Sequence, residues 1–106
     1  MVVSMKNYVE KRKQLEQAYI LSMVDKQANL QQHYDRLKAG SSDIEDLNAD
    51  LHKLSGSAGM YGFEEISQSA QKLMHSLKND VQGDISNNEE VSETFTELLT
   101  IMKNIK

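Results

Sequence analysis

Three side chains in this 106-residue chain can serve as nucleophile, proton shuttle or metal ligand near neutral pH: His33, His52 and His75. Cysteine is absent, so there is no thiolate, disulfide framework or Cys-type zinc site. Three histidines without cysteine or a His-Glu-x-x-His spacing do not make a zinc centre. His33 lies in "QQHYD" and reads as a solvated surface residue, and His75 as surface or helix packing. His52 stands apart because of the residues just C-terminal to it. In "LHKLSGSAGMYG", residues 51–62, three of the chain's five glycines recur at three-residue spacing, although both flanks read as strong helix. Each glycine inside a helix costs about 1 kcal/mol relative to alanine, because glycine has the most backbone freedom to lose.

On a helix, the neighbours of His52 on its own face lie three, four and seven positions away. They are Asn48, Ala49, Ser55, Gly56 and Gly59, all small or short. The apolar stripe of Leu47, Leu51, Leu54 and Ala58 lies about 100° round the helix, given about 3.6 residues per turn. His52 therefore borders the buried face and tilts outward from a shaved patch of helix. Two readings fit. The glycines expose the imidazole to another molecule's surface, or they allow close packing of helices and His52 is incidental. Gly62 ends the helix as a left-handed cap. Met60 and Tyr61 are core candidates that could also rim the patch.

The elements that must position this patch are helical. There is no proline, β-branched clusters are few, and Leu, Lys, Glu, Gln and Ala abound. Val91, Phe95, Leu98, Met102 and Ile105 form one apolar stripe, capped by Asn87 or Asn88. Ile66, Ala70, Leu73 and Leu77 form another, on a helix from near Phe63 to near Asn79. A third starts after "GSSD", with Ser42 or Asp43 as N-cap, and carries Ile44, Leu47, Leu51, Leu54 and Ala58. Residues 80–86 read as a loop. In the first forty residues Val9, Leu15, Ala18, Leu21, Val24, Leu30, Tyr34 and Leu37 are core candidates, with a break near Asp25–Gln27 and a stop at Gly40. The expected fold is all-α, an antiparallel four-helix bundle with room for an extra short N-terminal helix, in a single domain spanning 1–106.

Hydrophobic residues make up 39% and charged residues 26%, ordinary for a globular domain, and the net charge of -4 argues against nucleic acid as partner. No apolar run approaches the ~20 residues of a membrane span. Lys6, Glu10, Lys11, Arg12 and Lys13 interrupt any leader-like apolar segment, so the expected compartment is cytoplasmic. There is no glycine-rich phosphate loop of the P-loop type and no acidic metal cluster, so autophosphorylation from ATP is not expected.

"HKLSGSAGMYGFEEISQSAQKL", His52 to Leu73, resembles the signature of histidine-containing phosphotransfer (HPt) domains: His-x-Leu-Lys-Gly-Ser/Ala-Ala-x-x-x-Gly followed by an amphipathic helix. His52, Leu54, Gly56, Ser57, Ala58 and Gly62 match in register, and the likeness extends over nearly the whole chain. The resemblance implies a phosphoryl carrier without autokinase activity. His52 would accept a phosphoryl group from the aspartyl phosphate of a response-regulator receiver domain and pass it to another. It also implies a hybrid sensor histidine kinase upstream, Mg²⁺ on the receiver rather than any cofactor of this chain, and a monomer. A neutral imidazole nitrogen is a competent nucleophile for that step. Gly56, Lys53, Ser55, Gly59 and Lys72 are the supporting or docking candidates. Two positions depart from the family. Its usual lysine three residues after the histidine is Ser55, and its usual Glu or Gln about twenty-two residues after is Met74, which cannot orient the ring. Gln71 or His75 could partner the imidazole instead. The alternative function is a non-catalytic helical module that binds a receiver or kinase without phosphotransfer.

Overall fold

The computed structural model describes residues 5–40, 44–80, 85 and 88–105. They form five helices: α1 (Met5–Leu21), α2 (Met23–Lys38), α3 (Ile44–Met60), α4 (Glu64–Lys78) and α5 (Glu89–Lys103). Helices α2 to α5 form the expected bundle. Each contributes one apolar stripe to a common core: Met23, Leu30 and Tyr34 from α2, Leu47, Leu51, Leu54 and Ala58 from α3, Ile66, Ala70, Leu73 and Leu77 from α4, and Val91, Phe95, Leu98 and Met102 from α5. The Tyr34 and Phe95 rings stack with centroids 4.0 Å apart and join α2 to α5. The Asn88 side chain caps α5 by accepting from the Val91 amide at 3.1 Å, a bond that contributes about 1 kcal/mol. Asn87 and the candidate caps Ser42 and Asp43 lie outside the described residues.

The N-terminal segment departs from the sequence expectation. Its helix break falls at Ser22, not at Asp25–Gln27, and it is barely a break. Ser22 keeps helical dihedrals, its amide donates to Ala18, and the Lys26 amide donates to Ser22. The run Met5–Lys38, about 50 Å long at about 1.5 Å per residue, therefore continues nearly unbroken along a molecule 60 Å in its longest extent. The extra helix is 17 residues, not short. Much of α1 has no helix to pack against, so Val9, Leu15, Ala18 and Leu21 are exposed rather than core, and Val24, in the first turn of α2, is exposed as well. What it buries is Tyr19, which stacks on Phe63 and tilts against Tyr61 at the far end of α3. Two smaller expectations also change. Ile44 sits at the open end of α3 and is exposed, while Ile85, placed in a loop by its polar neighbours, is buried in the core.

The end of α3 shows why Gly62 is a glycine. Its φ of +85° lies in the left-handed region, where a side chain is strained. This conformation lets the Gly62 amide donate to Gly59 at 3.2 Å and the Phe63 amide to Ala58 at 2.8 Å. The paired bonds form a Schellman cap, turn the chain through Gly62 and Phe63, and lay α4 antiparallel against α3.

Candidate functional site

His52 lies two turns before the end of α3, on the exposed side, and its ring makes no hydrogen bond or ion pair among the described residues. One turn further on, Gly56 is exposed, and a Cβ added there would meet nothing within 4 Å. Gly56 is thus not there to admit another helix. It leaves open surface below the imidazole, which fits the access reading at this position. Gly59 differs: a Cβ there would touch the Ser67 hydroxyl of α4 at 3.5 Å, so this glycine belongs to the α3–α4 crossing. Met60 is 65% exposed and extends the open patch with an apolar side chain, whereas Tyr61 turns inward to Tyr19.

The candidate supporting residues do not share one place. Ser55 is buried at the α3–α4 contact, where its hydroxyl meets that of Ser67 at 3.2 Å and accepts from the Gln71 amide at 3.0 Å. It faces α4, not the open patch. Lys72 points to the other side of α4 and pairs with Glu97 of α5 at 3.4 Å. Lys53 is exposed on the α2 side of His52 and lines a groove of about 410 Å³ with Lys26, Asn29, Tyr19 and Met60. His52, Gly56 and Lys53 therefore share the open side of α3, while Ser55 and Lys72 are committed elsewhere.

Side chains of α1 and α2 make polar contacts beside the groove. The Tyr19 and Ser57 hydroxyls are 2.6 Å apart, Lys26 stands 5.0 Å from the Tyr19 ring centroid, and Arg12 donates to the Met60 carbonyl at 3.3 Å. Burial pushes the Tyr19 phenol above its ordinary value of 10.0, opposed by the Ser57 hydrogen bond and assisted by Tyr61.

Neither other histidine touches His52. His75 points outward and exchanges a hydrogen bond with Asn79 at 3.0 Å. His33 is not the solvated residue its polar surroundings suggest. It is half-buried between α2 and α3, with its Nδ1 2.7 Å from a carboxylate oxygen of Asp50. Only the packing of the two helices brings these residues together, since they lie far apart in sequence. Met74 is partly buried and packs against the core. Gln71 is held by Ser55 and Ser67. One further residue stands out only in the structure. Asn48, one turn before His52 and in sequence merely a short neighbour, has a side-chain oxygen that is buried without a hydrogen-bond partner.

Among the described residues no helix is long and apolar enough to cross a membrane. The family model for the Hpt domain matches residues 11–105, nearly the whole chain. No curated protein and no solved structure matches it.

Proposed function

The chain belongs to the Hpt domain family, and from that premise we propose that it is a phosphoryl carrier with His52 as the acceptor. Hpt domains are histidine phosphotransfer modules of two-component phosphorelays and interact there with receiver domains and kinases. The observation that carries the assignment to His52 is its position: an exposed, unpartnered imidazole on α3 above the open surface left by Gly56.

The step needs little from this chain beyond that position. The lone pair of a neutral ring nitrogen attacks the phosphorus of a receiver's aspartyl phosphate, in line with the bond to be broken. A nitrogen–phosphorus bond forms as the phosphorus–oxygen bond breaks. The electron pair leaves with the receiver's carboxylate, and the proton stays on the other ring nitrogen. The reverse step on a second receiver discharges the carrier. Mg²⁺ belongs to the receiver in this reading, and supplies the charge neutralisation that a single exposed imidazole lacks. Gly56 and Met60 offer a low surface on which an acidic pocket can settle, and Lys53 adds a positive rim. The carrier works as a cytoplasmic monomer between a hybrid sensor histidine kinase and response-regulator receivers.

The test is incubation with a receiver domain already carrying labelled phosphate, followed by acid and base treatment of this protein. Acid-labile, base-stable label, absent from His52→Gln with its helical content unchanged, is the expected result. Binding of the receiver with no transfer of label would favour the non-catalytic module, and label retained by His52→Gln would remove the assignment.

A further inference from the structure

We infer that Asn48 is the positioning residue of His52, its side-chain oxygen accepting from the imidazole Nδ1–H and leaving Nε2 free to attack. The inference rests on His52 being the phosphoacceptor. A neutral imidazole has two tautomers, and the hydrogen bond made by one nitrogen decides which form the other presents. An exposed ring with no partner samples both. The groups that could hold it are few. Met74, across on α4, offers only a weak acceptor. His75 is engaged by Asn79, and Gln71 by Ser55 and Ser67.

Asn48 remains. It lies four residues before His52 on the same helix, and such pairs are neighbours on the helix surface. Side chains of a helix lean toward its N-terminus, so the His52 ring lies over the turn that carries Asn48, away from Ser55. Gln71 leans the other way, toward Ser67 and the α3–α4 turn, which takes it from the imidazole. The decisive observation is at Asn48 itself: its Oδ1 is buried and has no hydrogen-bond partner. Buried acceptors are nearly always paired, and an orphan asks for an explanation. No bond joins the two side chains in the structure; the exposed ring has to turn to bring Nδ1 over the Asn48 oxygen. Nδ1 is the ring nitrogen nearer the backbone, so it is the one that an Asn48 oxygen on the preceding turn meets. Nε2 is then the outer atom, carrying the lone pair toward the docked receiver.

The test reads the tautomer directly, without any phosphodonor. In ¹⁵N-labelled protein with the His52 ring neutral, the ring-nitrogen shifts should show Nδ1–H dominant. Asn48→Leu should return the ring to a mixture, and Asn48→Asp, which keeps an acceptor oxygen at that place, should restore Nδ1–H. Phosphoryl acceptance should fall about three- to tenfold in Asn48→Leu, the loss of one ordinary hydrogen bond. Asn48→Ala serves if the leucine variant does not fold. Identical ring shifts in the parent and in Asn48→Leu or Asn48→Ala overturn the inference. A parent protein that never takes label overturns the assignment of His52 instead, and the ring shifts still report on Asn48.

Discussion

Replacing Gly56 by alanine should make this protein more stable, and replacing it by glutamine should make it a worse carrier. Gly56 sits inside α3 with its backbone helical, and an added Cβ has nothing within 4 Å to strike. The methyl group therefore meets no steric opposition and removes only the excess backbone entropy of glycine in the unfolded chain. Such changes contribute about 0.4–1 kcal/mol. With an unfolding entropy of about 2.1 cal/mol/K per residue over 106 residues, that free energy raises Tm by about 2–5 °C. Thermal melts followed by circular dichroism would read this. Gly62→Ala is the internal contrast: at φ +85° it should lower stability by about 1–2 kcal/mol, the strain of a left-handed L-residue. Gly56→Gln should also fold, since its side chain projects into open space, but it stands one turn from His52 on the docking side. A misplacement of about 1 Å at a reacting centre can slow a step about a hundredfold, so a ten- to hundredfold loss of phosphoryl acceptance is expected. Loss of stability in Gly56→Ala, or full transfer by Gly56→Gln, would refute the argument that this glycine trades helix stability for access.

The placement of charges and hydroxyls leads to three further outcomes. Lys53 is exposed next to His52 on α3 and carries no ion pair among the described residues, whereas Lys72 is tied to Glu97. Lys53→Ala should shorten the phosphohistidine lifetime by up to about fivefold, the scale of one exposed ion pair, and Lys72→Ala should leave it unchanged in a decay assay. Ser55→Lys, which would return the family's cation, puts an ammonium into the buried contact with Ser67 and Gln71; urea titration should show a loss of about 1–3 kcal/mol. Tyr19 gives an alkaline signature. Its phenol ionises at higher pH in the folded protein than in the unfolded chain, so its contribution is intact below pH 10.0 and is lost as pH rises through the raised folded value. Tyr19→Phe should flatten that alkaline limb in pH-dependent melts, and should cost about 0.5–1.5 kcal/mol at neutral pH for the bond to Ser57.

The bundle was legible in the chain because its determinants are local and periodic. Leu47, Leu51, Leu54 and Ala58, or Val91, Phe95, Leu98 and Met102, declare a buried face by spacing alone, and Asn88 and Gly62 mark helix ends through their own backbone and side-chain chemistry. The open surroundings of His52 on its own helix were legible for the same reason: small residues at three, four and seven positions describe one helix face whatever packs behind it. Periodicity says which face is apolar, but not whether another helix arrives to cover it. Val9, Leu15 and Leu21 are as hydrophobic as any core residue, yet they stay exposed because α1 continues the line of α2 beyond its neighbours, and Val24 in the first turn of α2 stays exposed too. Angular position on one helix likewise cannot tell which flank meets a partner. Ser55 and Gly56 both neighbour His52 on the helix, but α4 covers Ser55 and leaves Gly56 open. Pairings such as His33 with Asp50, Lys72 with Glu97 and Tyr19 with Ser57 join residues far apart in the chain. They exist only once the helices have packed, because each depends on the register between two helices and no single helix carries that register.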